Sequence, residues 1–224
     1  MEKGFLDKEK VRKFQELVIE WFVQKGDNFP WRNLDGNVVT PWEVALGEIL
    51  LNRVSADRVL PVFNEILSKY PDPCSLGKGN EKELEEILTP LGLQKKKATL
   101  IVNVAELFCF YSDDTSKLLA CLNKLKGIGK YTYNAVMLFG FERKVVLVDG
   151  VIGRVLGRVF GKKWKGKAVT DKRAWKLSAT LVESLSPRDA KWLYYGILDL
   201  GRNVCKLSKP NCTECPLSEI CSFK

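Results

Sequence analysis

Four of the seven cysteines lie within the last twenty residues, spaced as Cys205-x6-Cys212-x2-Cys215-x5-Cys221. Four thiols so close together in sequence are typical of a metal site. A zinc ribbon pairs two C-x2–4-C knuckles, whereas here a single knuckle has one lone cysteine on each side. The spacing therefore favours an iron–sulfur cluster over zinc. Two disulfides are the alternative, but they need an oxidising compartment, which nothing else in the sequence indicates.

A second candidate site is the glycine-containing turn in the sequence Leu125-Lys126-Gly127-Ile128-Gly129-Lys130-Tyr131-Thr132. Glycine permits positive φ and lets another backbone approach closely. The helix predicted to follow presents its free N–H groups and positive dipole end at this turn, and Lys126 and Lys130 add charge. The turn suits one DNA phosphate, bound without reading a base. By itself, Gly-x-Gly between helices is also typical of a plain helical hairpin.

Two carboxylates occupy positions where acid–base chemistry is feasible. Asp149 follows the apolar run 145–148 and begins a helical sequence, so it suits an N-cap. That role is compatible with catalysis, because a helix N-terminus keeps a carboxylate ionised. Glu48 interrupts the apolar stretch 44–51, where partial desolvation would favour its protonated form and suit a general acid. Periodicity alone favours a surface position for Glu48.

Composition limits the chemistry and the partners. The formal net charge of +9 favours a polyanionic partner, most simply nucleic acid, although a solvated lysine-rich surface explains it equally well. Because histidine is absent, acid–base work near neutral pH falls to carboxylates, Tyr, Cys or Lys. No apolar run reaches the length of a membrane span, and the charged N-terminus lacks a signal-peptide apolar region. We expect a cytoplasmic, nucleoid-associated protein.

The hydrophobic pattern is helical almost throughout. Only 145–148 resembles a strand, and it is too short to require a sheet. The fold class predicted is therefore all-α, with a cysteine-rich tail. Apolar spacing and start and stop signals predict helices over 10–26, 42–69 with a break at 54–57, 81–88, 95–111, 116–125, 131–141, 151–160, 174–184 and 189–200.

Taken in order, these pieces resemble the endonuclease III superfamily of DNA glycosylases: a helix bearing Glu48, the hairpin LKGIGKYT, the segment ending in Asp149 and the four-cysteine tail. The resemblance extends from Phe29 to Cys221. It implies a two-domain helical fold with a helix-hairpin-helix motif, in which 33–143 form a helical barrel and 1–32 plus 144–224 form a cluster domain. It further implies a [4Fe–4S] cluster on the four tail cysteines, a monomer, and double-stranded DNA with a mismatched or damaged base as partner.

The residue at position 131 distinguishes the subfamilies of that superfamily, and here it is Tyr131. Endonuclease III proper places a lysine nucleophile directly after the Gly-x-Gly-basic stretch, and a phenol cannot replace that amine in a Schiff base. Lys130 is one residue away, which is about 100° around a helix. The resemblance therefore implies a monofunctional glycosylase without strong lyase activity. Because the chain ends just after the cysteines, it is more similar to mismatch thymine glycosylases than to adenine glycosylases, which carry a further domain.

Two departures affect the substrate. Relatives carry Asn two residues after the catalytic Asp, whereas this chain has Val151, whose side chain can neither donate nor accept a hydrogen bond. Where adenine glycosylases show Gln-Gln-Thr, this chain has Asn52-Arg53-Val54. Both changes lie where the excised base and its opposite partner would be recognised.

The resemblance assigns a role to each candidate residue. Asp149 stabilises the oxocarbenium-like sugar or activates water, Glu48 protonates the leaving base, and Tyr131 lines the base pocket. Arg53 probes the opposite guanine, whose O6/N7 edge suits arginine, and Leu93 is an apolar wedge. We further expect Trp31 and Arg32 at the pocket rim and Asn52 and Val151 near the bases. Backbone phosphate is expected to contact Lys126, Gly127, Gly129 and Lys130, while Lys95, Lys96 and Lys97 either touch phosphate or form a solvated helix face. Of the other cysteines, Cys74 is expected to be exposed, and Cys109 and Cys121 are expected to be core thiols.

Three hypotheses follow. The first is a mismatch glycosylase acting on thymine or uracil opposite guanine, with adenine opposite guanine or 8-oxoguanine as the runner-up. The second is a glycosylase for another damaged base. The third is a non-catalytic DNA-binding homologue, which the valine at position 151 keeps open.

Overall fold

The computed structural model describes residues 7–32, 34 and 39–223, without the side chain of Lys78. Segment 1–6, the predicted domain junction at residue 33 and part of the predicted loop 29–37 lie outside these residues. The described chain is helical and contains no strand. The α-helices are α1 (Lys8–Lys25), α2 (Pro41–Leu50), α3 (Ala56–Lys69), α4 (Glu81–Leu88), α5 (Gln94–Phe110), α6 (Thr115–Lys124), α7 (Lys130–Ala135), α8 (Gly150–Val159), α9 (Lys172–Val182) and α10 (Pro187–Asp199).

Short irregular helices complete the list. π-Helical turns extend α7 over Val136–Gly140 and α10 over Leu200–Val204, and 3₁₀ turns occupy Lys78–Asn80, Thr89–Leu91, Ala168–Thr170 and Cys212–Glu214. The prediction of an all-α chain is confirmed, and the segment 145–148 is extended without pairing into a sheet.

The chain divides into two compact units. One unit, called here the terminal unit, comprises Met1–Asp27 and Glu142–Lys224, and the other, the central unit, comprises Asn28–Phe141. The terminal unit is therefore built from both ends of the chain.

The central unit has one apolar core formed by the inward faces of α2 to α6. α2 begins with a capping box, in which the Thr40 hydroxyl accepts from the Glu43 amide and the Glu43 carboxylate accepts from the Thr40 amide. Pro41 occupies the first helical position. Eight of its ten residues are buried, so α2 runs through the core rather than along its surface. The largest fully buried side chains here include Phe63, Leu46, Leu50, Ile66 and Ile101.

The terminal unit is centred on α1 packed against α10. Phe14 and Val18 of α1 are fully buried, as is Tyr194 of α10. Tyr194 shares a hydrogen bond of 2.8 Å with Ser178 of α9, and Ser178 also donates to the Leu147 carbonyl at 2.7 Å. These bonds fix α9 and α10 against the extended segment that leads to Asp149.

Cys74 is exposed as expected, whereas Cys109 and Cys121 differ from the core thiols expected. Cys109 and Cys74 form a disulfide with Cα atoms 4.9 Å apart, so Cys109 is not a core thiol. Cys121 is free and half-buried. None of the four tail cysteines forms a disulfide.

Across the described residues, no helix is both long enough and apolar enough to cross a bilayer.

Candidate active site and DNA-contact turns

The turn between α6 and α7 has the geometry that a phosphate contact needs. Gly127 has φ of +108°, in the region that favours glycine. A Cβ atom there would lie 3.0 Å from Leu100 Cδ1, so the missing side chain also lets the turn sit on α5. Gly129 is the N-cap of α7, without a side-chain cap, and has open space where a Cβ atom would stand. Lys126 and Lys130 are exposed beside it.

Arg53 lies in a tight turn that links α2 to α3. It is exposed and has φ of +62°, an uncommon value for a residue that is not glycine. Such backbone strain persists only where the surroundings impose it, and it clusters at functional positions. Asn52 beside it is exposed as well.

Leu93 shows a similar departure from ordinary geometry at the start of α5. It follows Gly92, has φ of +54°, and leaves 59 % of its surface exposed. A large apolar side chain held outward on a strained turn is suited to insertion between bases.

Lys97 holds these two turns in place and does not face phosphate. Its exposed fraction is 6 %, and its Nζ donates to the carbonyls of Leu50 at 2.7 Å and of Ile49 and Asn52 at 3.4 Å. These carbonyls lie at the end of α2, where a helix lacks internal partners and a positive charge is favourable. Burial lowers the pKa of Lys97. The predicted phosphate contact is therefore wrong for Lys97, while Lys95 and Lys96 remain exposed.

A second bond supports the same region. The guanidinium of Arg58, on the first turn of α3, donates to the Pro90 carbonyl. Lys97 thus ties α5 to the end of α2, and Arg58 ties α3 to the turn before Leu93. The structure brings the Arg53 and Leu93 turns together on one supported framework.

Glu48 is buried in α2, with an exposed fraction of 8 %. The surface position favoured by periodicity is therefore wrong. A carboxylate among the apolar residues of α2, two positions before the end of that helix, has the desolvated surroundings expected of a general acid.

Tyr131 is half-buried on the first turn of α7, and its neighbour Lys130 is exposed. The two side chains leave the helix about 100° apart. That Lys130 does not replace the phenol in its position stays a prediction.

Trp31 and Arg32 are not exposed rim residues. Trp31 has an exposed fraction of 3 % and stacks on Phe29 with ring centroids 4.8 Å apart, while Phe63 meets it edge-on. Arg32 is also buried, with its guanidinium 5.3 Å from the centre of the Phe29 ring. Apolar packing in the central core explains why these side chains turn inward.

Asp149 caps α8 in the terminal unit. Its Oδ1 accepts from the Ile152 amide at 2.7 Å, which confirms the predicted N-cap. Leu147 and Val148 directly before it are fully buried. Partial burial raises the pKa of Asp149, although amide hydrogen bonds from Ile152 and Val151 and the charge of Arg154 oppose this. The amides at the helix terminus favour the ionised carboxylate, as expected, but burial outweighs them, so the pKa of Asp149 is raised overall.

Val151 packs within the terminal unit. A Cβ atom built at Gly201 would lie 2.2 Å from Val151 Cγ1, so the valine fills the space above that glycine. The structure thus gives Val151 a packing role, which accounts for an apolar residue there.

The four tail cysteines line one cavity of about 360 Å³ in the terminal unit, together with apolar residues that include Val155, Leu200 and Leu217. Burial raises the pKa of Cys215, and the nearby charges of Cys205, Cys221 and Cys212 add to it. Within the described chain, no three Cys, Asp or Glu side chains are close enough together to hold a single metal ion.

Four cysteine thiols that line one cavity are a donor set for either zinc or an iron–sulfur cluster. Four thiolates on one zinc ion stand roughly 3.8 Å apart, as tetrahedral Zn–S bonds require, whereas a cluster distributes its four cysteines over several irons. Arg158 donates to Cys205 Sγ at 3.3 Å and to the Lys206 carbonyl at 2.7 Å, and Arg154 donates to the Cys205 carbonyl at 3.0 Å. These bonds hold the first cysteine of the tail against α8.

A model of the HhH-GPD superfamily of base excision DNA repair proteins matches residues 46–180, which is more than half of the chain. The chain belongs to this superfamily. The match includes Glu48, the glycine turn of the hairpin and Asp149.

Individual relatives of this HhH-GPD chain align over nearly its full length. It is 34% identical over 222 residues to a thymine-DNA glycosylase of Aeropyrum pernix, covering 98% of this chain and 97% of that protein. It is 32% identical over 218 residues to a thymine/uracil-DNA glycosylase of Pyrobaculum aerophilum, covering 94% and 91%. A solved thermostable thymine-DNA glycosylase superposes with a TM-score of 0.81 at 27% identity, covering 96% of this chain and 97% of its own.

Sequence reasoning missed two supports of the HhH-GPD site. Lys97 stands four residues before Ile101, on the same face as Val104, Ala105 and Phe108, which are all buried. That period marks Lys97 as the buried lysine of its triplet. The Cys74–Cys109 disulfide gave no comparable signal, because 35 residues separate its partners.

Proposed function

We propose that this HhH-GPD protein is a monofunctional DNA glycosylase that excises thymine or uracil opposite guanine. The observation that carries the proposal is the near full-length similarity to a thymine-DNA glycosylase. Tyr131 supports the monofunctional assignment, because hydrolysis rather than Schiff-base chemistry remains when the amine is missing.

Contact with the bases and with one backbone phosphate falls to the central unit. The glycine turn with Lys126, Gly127, Gly129 and Lys130 binds a backbone phosphate. Leu93 enters the base stack, and Arg53 contacts the guanine left opposite the extruded base. Lys97 positions both turns from beneath and does not touch DNA itself.

Bond cleavage needs a proton donor for the leaving base and negative charge near C1′. As the C1′–N bond breaks, its electron pair leaves with the base, and Glu48 supplies a proton or hydrogen bond to that base. The ionised carboxylate of Asp149 stabilises the developing oxocarbenium ion or takes a proton from the water that forms the new C1′–O bond. Tyr131 lines the base pocket.

The tail cysteines Cys205, Cys212, Cys215 and Cys221 would hold a [4Fe–4S] cluster, which cross-links the tail when bound. We propose that it serves structure: Arg154 and Arg158 already fix one end of the tail to α8. We further propose that the chain has two domains, whose boundaries lie within a few residues of those of the central and terminal units. The protein would act as a monomer at the nucleoid.

The test is a panel of duplexes with G·T, G·U, A·G, A·8-oxoguanine and hypoxanthine, followed by alkaline cleavage of abasic sites. Product from G·T and G·U alone supports the proposal, and release of adenine replaces it with the adenine glycosylase. Binding without product from any duplex refutes enzymatic function. Strand cleavage before alkali contradicts the role given to Tyr131.

A further inference from the structure

Positive charge is concentrated in one short segment of the terminal unit. Residues 161–176 contain seven lysines and arginines and a single acidic residue, and thus a net charge of +6 out of +9 for the whole chain. The lysine patch defined here comprises Lys162, Lys163, Lys165, Lys167, Lys172 and Lys176, and all six are exposed.

The loop that carries four of these lysines is anchored at several points. The Trp164 indole N–H donates to the Gly153 carbonyl of α8 at 2.7 Å. The Lys165 amide donates to Asp171 at 2.7 Å, and Arg173 donates to the Lys163 carbonyl at 3.0 Å. A Cβ atom on Gly153 would lie 2.1 Å from that of Ala168, so this glycine lets the loop sit directly on α8. The lysines therefore project from a fixed backbone.

The one acidic residue does not offset the patch at its surface. Asp171 is buried, and its carboxylate is occupied by the Arg173 guanidinium at 2.6 Å and by two backbone amides. The Arg173 guanidinium holds the pKa of Asp171 far below its usual range. The six lysines thus face solvent with no exposed acidic side chain within their own segment.

The indole N–H groups of both tryptophans in the segment donate to backbone carbonyls of the protein. Trp164 bonds to Gly153, and the Trp175 indole donates to the Val169 carbonyl at 2.8 Å. Binding of single strands relies on aromatic rings open to bases, whereas contact with a duplex backbone uses cationic and polar groups and needs no aromatic ring. The segment offers cations on a rigid support.

We propose that the lysine patch is a second DNA-contact surface, which binds duplex phosphates in addition to the glycine turn and reads no sequence. This inference rests on the proposed function, in which duplex DNA is the substrate. Asp149 caps α8, and the Trp164 indole donates to the Gly153 carbonyl of the same helix. The patch and the proposed catalytic carboxylate are therefore attached to one helix. Backbone binding there would retain the terminal unit on DNA.

The test compares two full-length variants with the same change in charge. The patch variant carries Lys162→Gln, Lys163→Gln, Lys165→Gln and Lys167→Gln. The control carries Lys8→Gln, Lys13→Gln, Lys25→Gln and Lys82→Gln, four exposed lysines elsewhere. Fluorescence anisotropy measures affinity for a fully paired duplex and a G·T duplex over a salt series.

Each lost phosphate contact reduces the slope of log K against log salt by about 0.9. We expect the patch variant to lose about 2 or more in slope and to bind both duplexes roughly 10- to 100-fold more weakly at 0.1 M salt. The control should lose less than about 1. Excision at saturating protein should be unchanged in both, since neither variant alters the proposed catalytic residues.

Equal slopes for patch and control variants would overturn the inference, with the proposed function intact if the parent still excises thymine. A parent that binds no DNA at all would refute the proposed function, and this inference with it. Weaker binding to phosphatidylserine vesicles together with an unchanged DNA slope would instead assign the patch to a membrane surface.

Discussion

The proposed role of Asp149 requires an ionised carboxylate, whereas its partly buried position favours the protonated form. Partial burial raises its pKa, and the Ile152 amide at 2.7 Å only partly offsets that effect. A carboxylate in this state stabilises a developing cation strongly, because little water competes with it. The cost falls on folding, since the ionised form is less favourable in the native state than in the unfolded chain.

Asp149→Asn should therefore separate activity from stability. Asn caps a helix as well as Asp does but carries no charge, so we expect excision of G·T to fall by about 10²- to 10⁴-fold without a lower unfolding midpoint at pH 7. Single-turnover kinetics and thermal unfolding measure the two effects.

The pH dependence has a defined sign. Because the folded pKa of Asp149 is raised, its destabilising contribution exists above that pKa and is lost as pH falls through it. The stability difference between the parent and Asp149→Asn should shrink toward acidic pH over the same range in which parental excision fails. An active Asp149→Asn protein would refute the catalytic role.

At the scale of elements, Lys97 links the end of α2 to the start of α5. Lys97→Met keeps the length of the side chain but removes the ammonium group that donates to the carbonyls of Ile49, Leu50 and Asn52. We expect a loss of about 1–3 kcal/mol in the free energy of unfolding and weaker binding of G·T duplexes through misplaced Arg53 and Leu93. Denaturant titration and anisotropy provide the measurements.

Lys96→Met is the matched control for this prediction. Its side chain is exposed, and surface substitutions usually change stability by less than about 0.5 kcal/mol. If both variants lose the same stability, the hydrogen bonds of Lys97 are not what supports the two turns.

The helices themselves follow from the sequence, whereas the contacts that aim functional side chains do not. Phe14, Val18 and Phe22 specify α1 by period, and Thr40, Pro41 and Glu43 specify the start of α2. Trp31 was misplaced because aromatic character does not distinguish a rim from a core. Arg53 and Leu93 were found through resemblance, since a positive φ at a residue other than glycine is imposed by surrounding structure.

The Cys74–Cys109 disulfide joins the segment before α4 to the end of α5. The two cysteines are 35 residues apart in sequence. In the chain-entropy description, a cross-link over this separation lowers the conformational entropy of the unfolded chain, which raises the free energy of unfolding by about 4 kcal/mol. We expect Cys74→Ser/Cys109→Ser to unfold at a lower temperature than the oxidised parent and to match the reduced parent. A parent whose midpoint is insensitive to thiol reductant would contradict this bond in solution.

At the scale of the whole molecule, the proposed tasks divide between the units. The central unit carries the glycine turn, Arg53, Leu93, Glu48 and Tyr131. The terminal unit carries Asp149, the lysine patch and the cysteine tail. Because α1 and α10 pack together, the terminal unit joins the two ends of the chain.

Loss of the tail cysteines should therefore weaken the terminal unit first. We expect Cys215→Ser to lose bound iron and visible absorbance and to unfold at a lower temperature, because a tail held by fewer thiolates no longer cross-links itself. Cys121→Ser, which alters a free thiol of the central unit, should keep both iron and stability. Metal analysis, absorbance and thermal unfolding of the two variants test this, and a colourless parent with one zinc per chain would replace the iron–sulfur cluster with a zinc site.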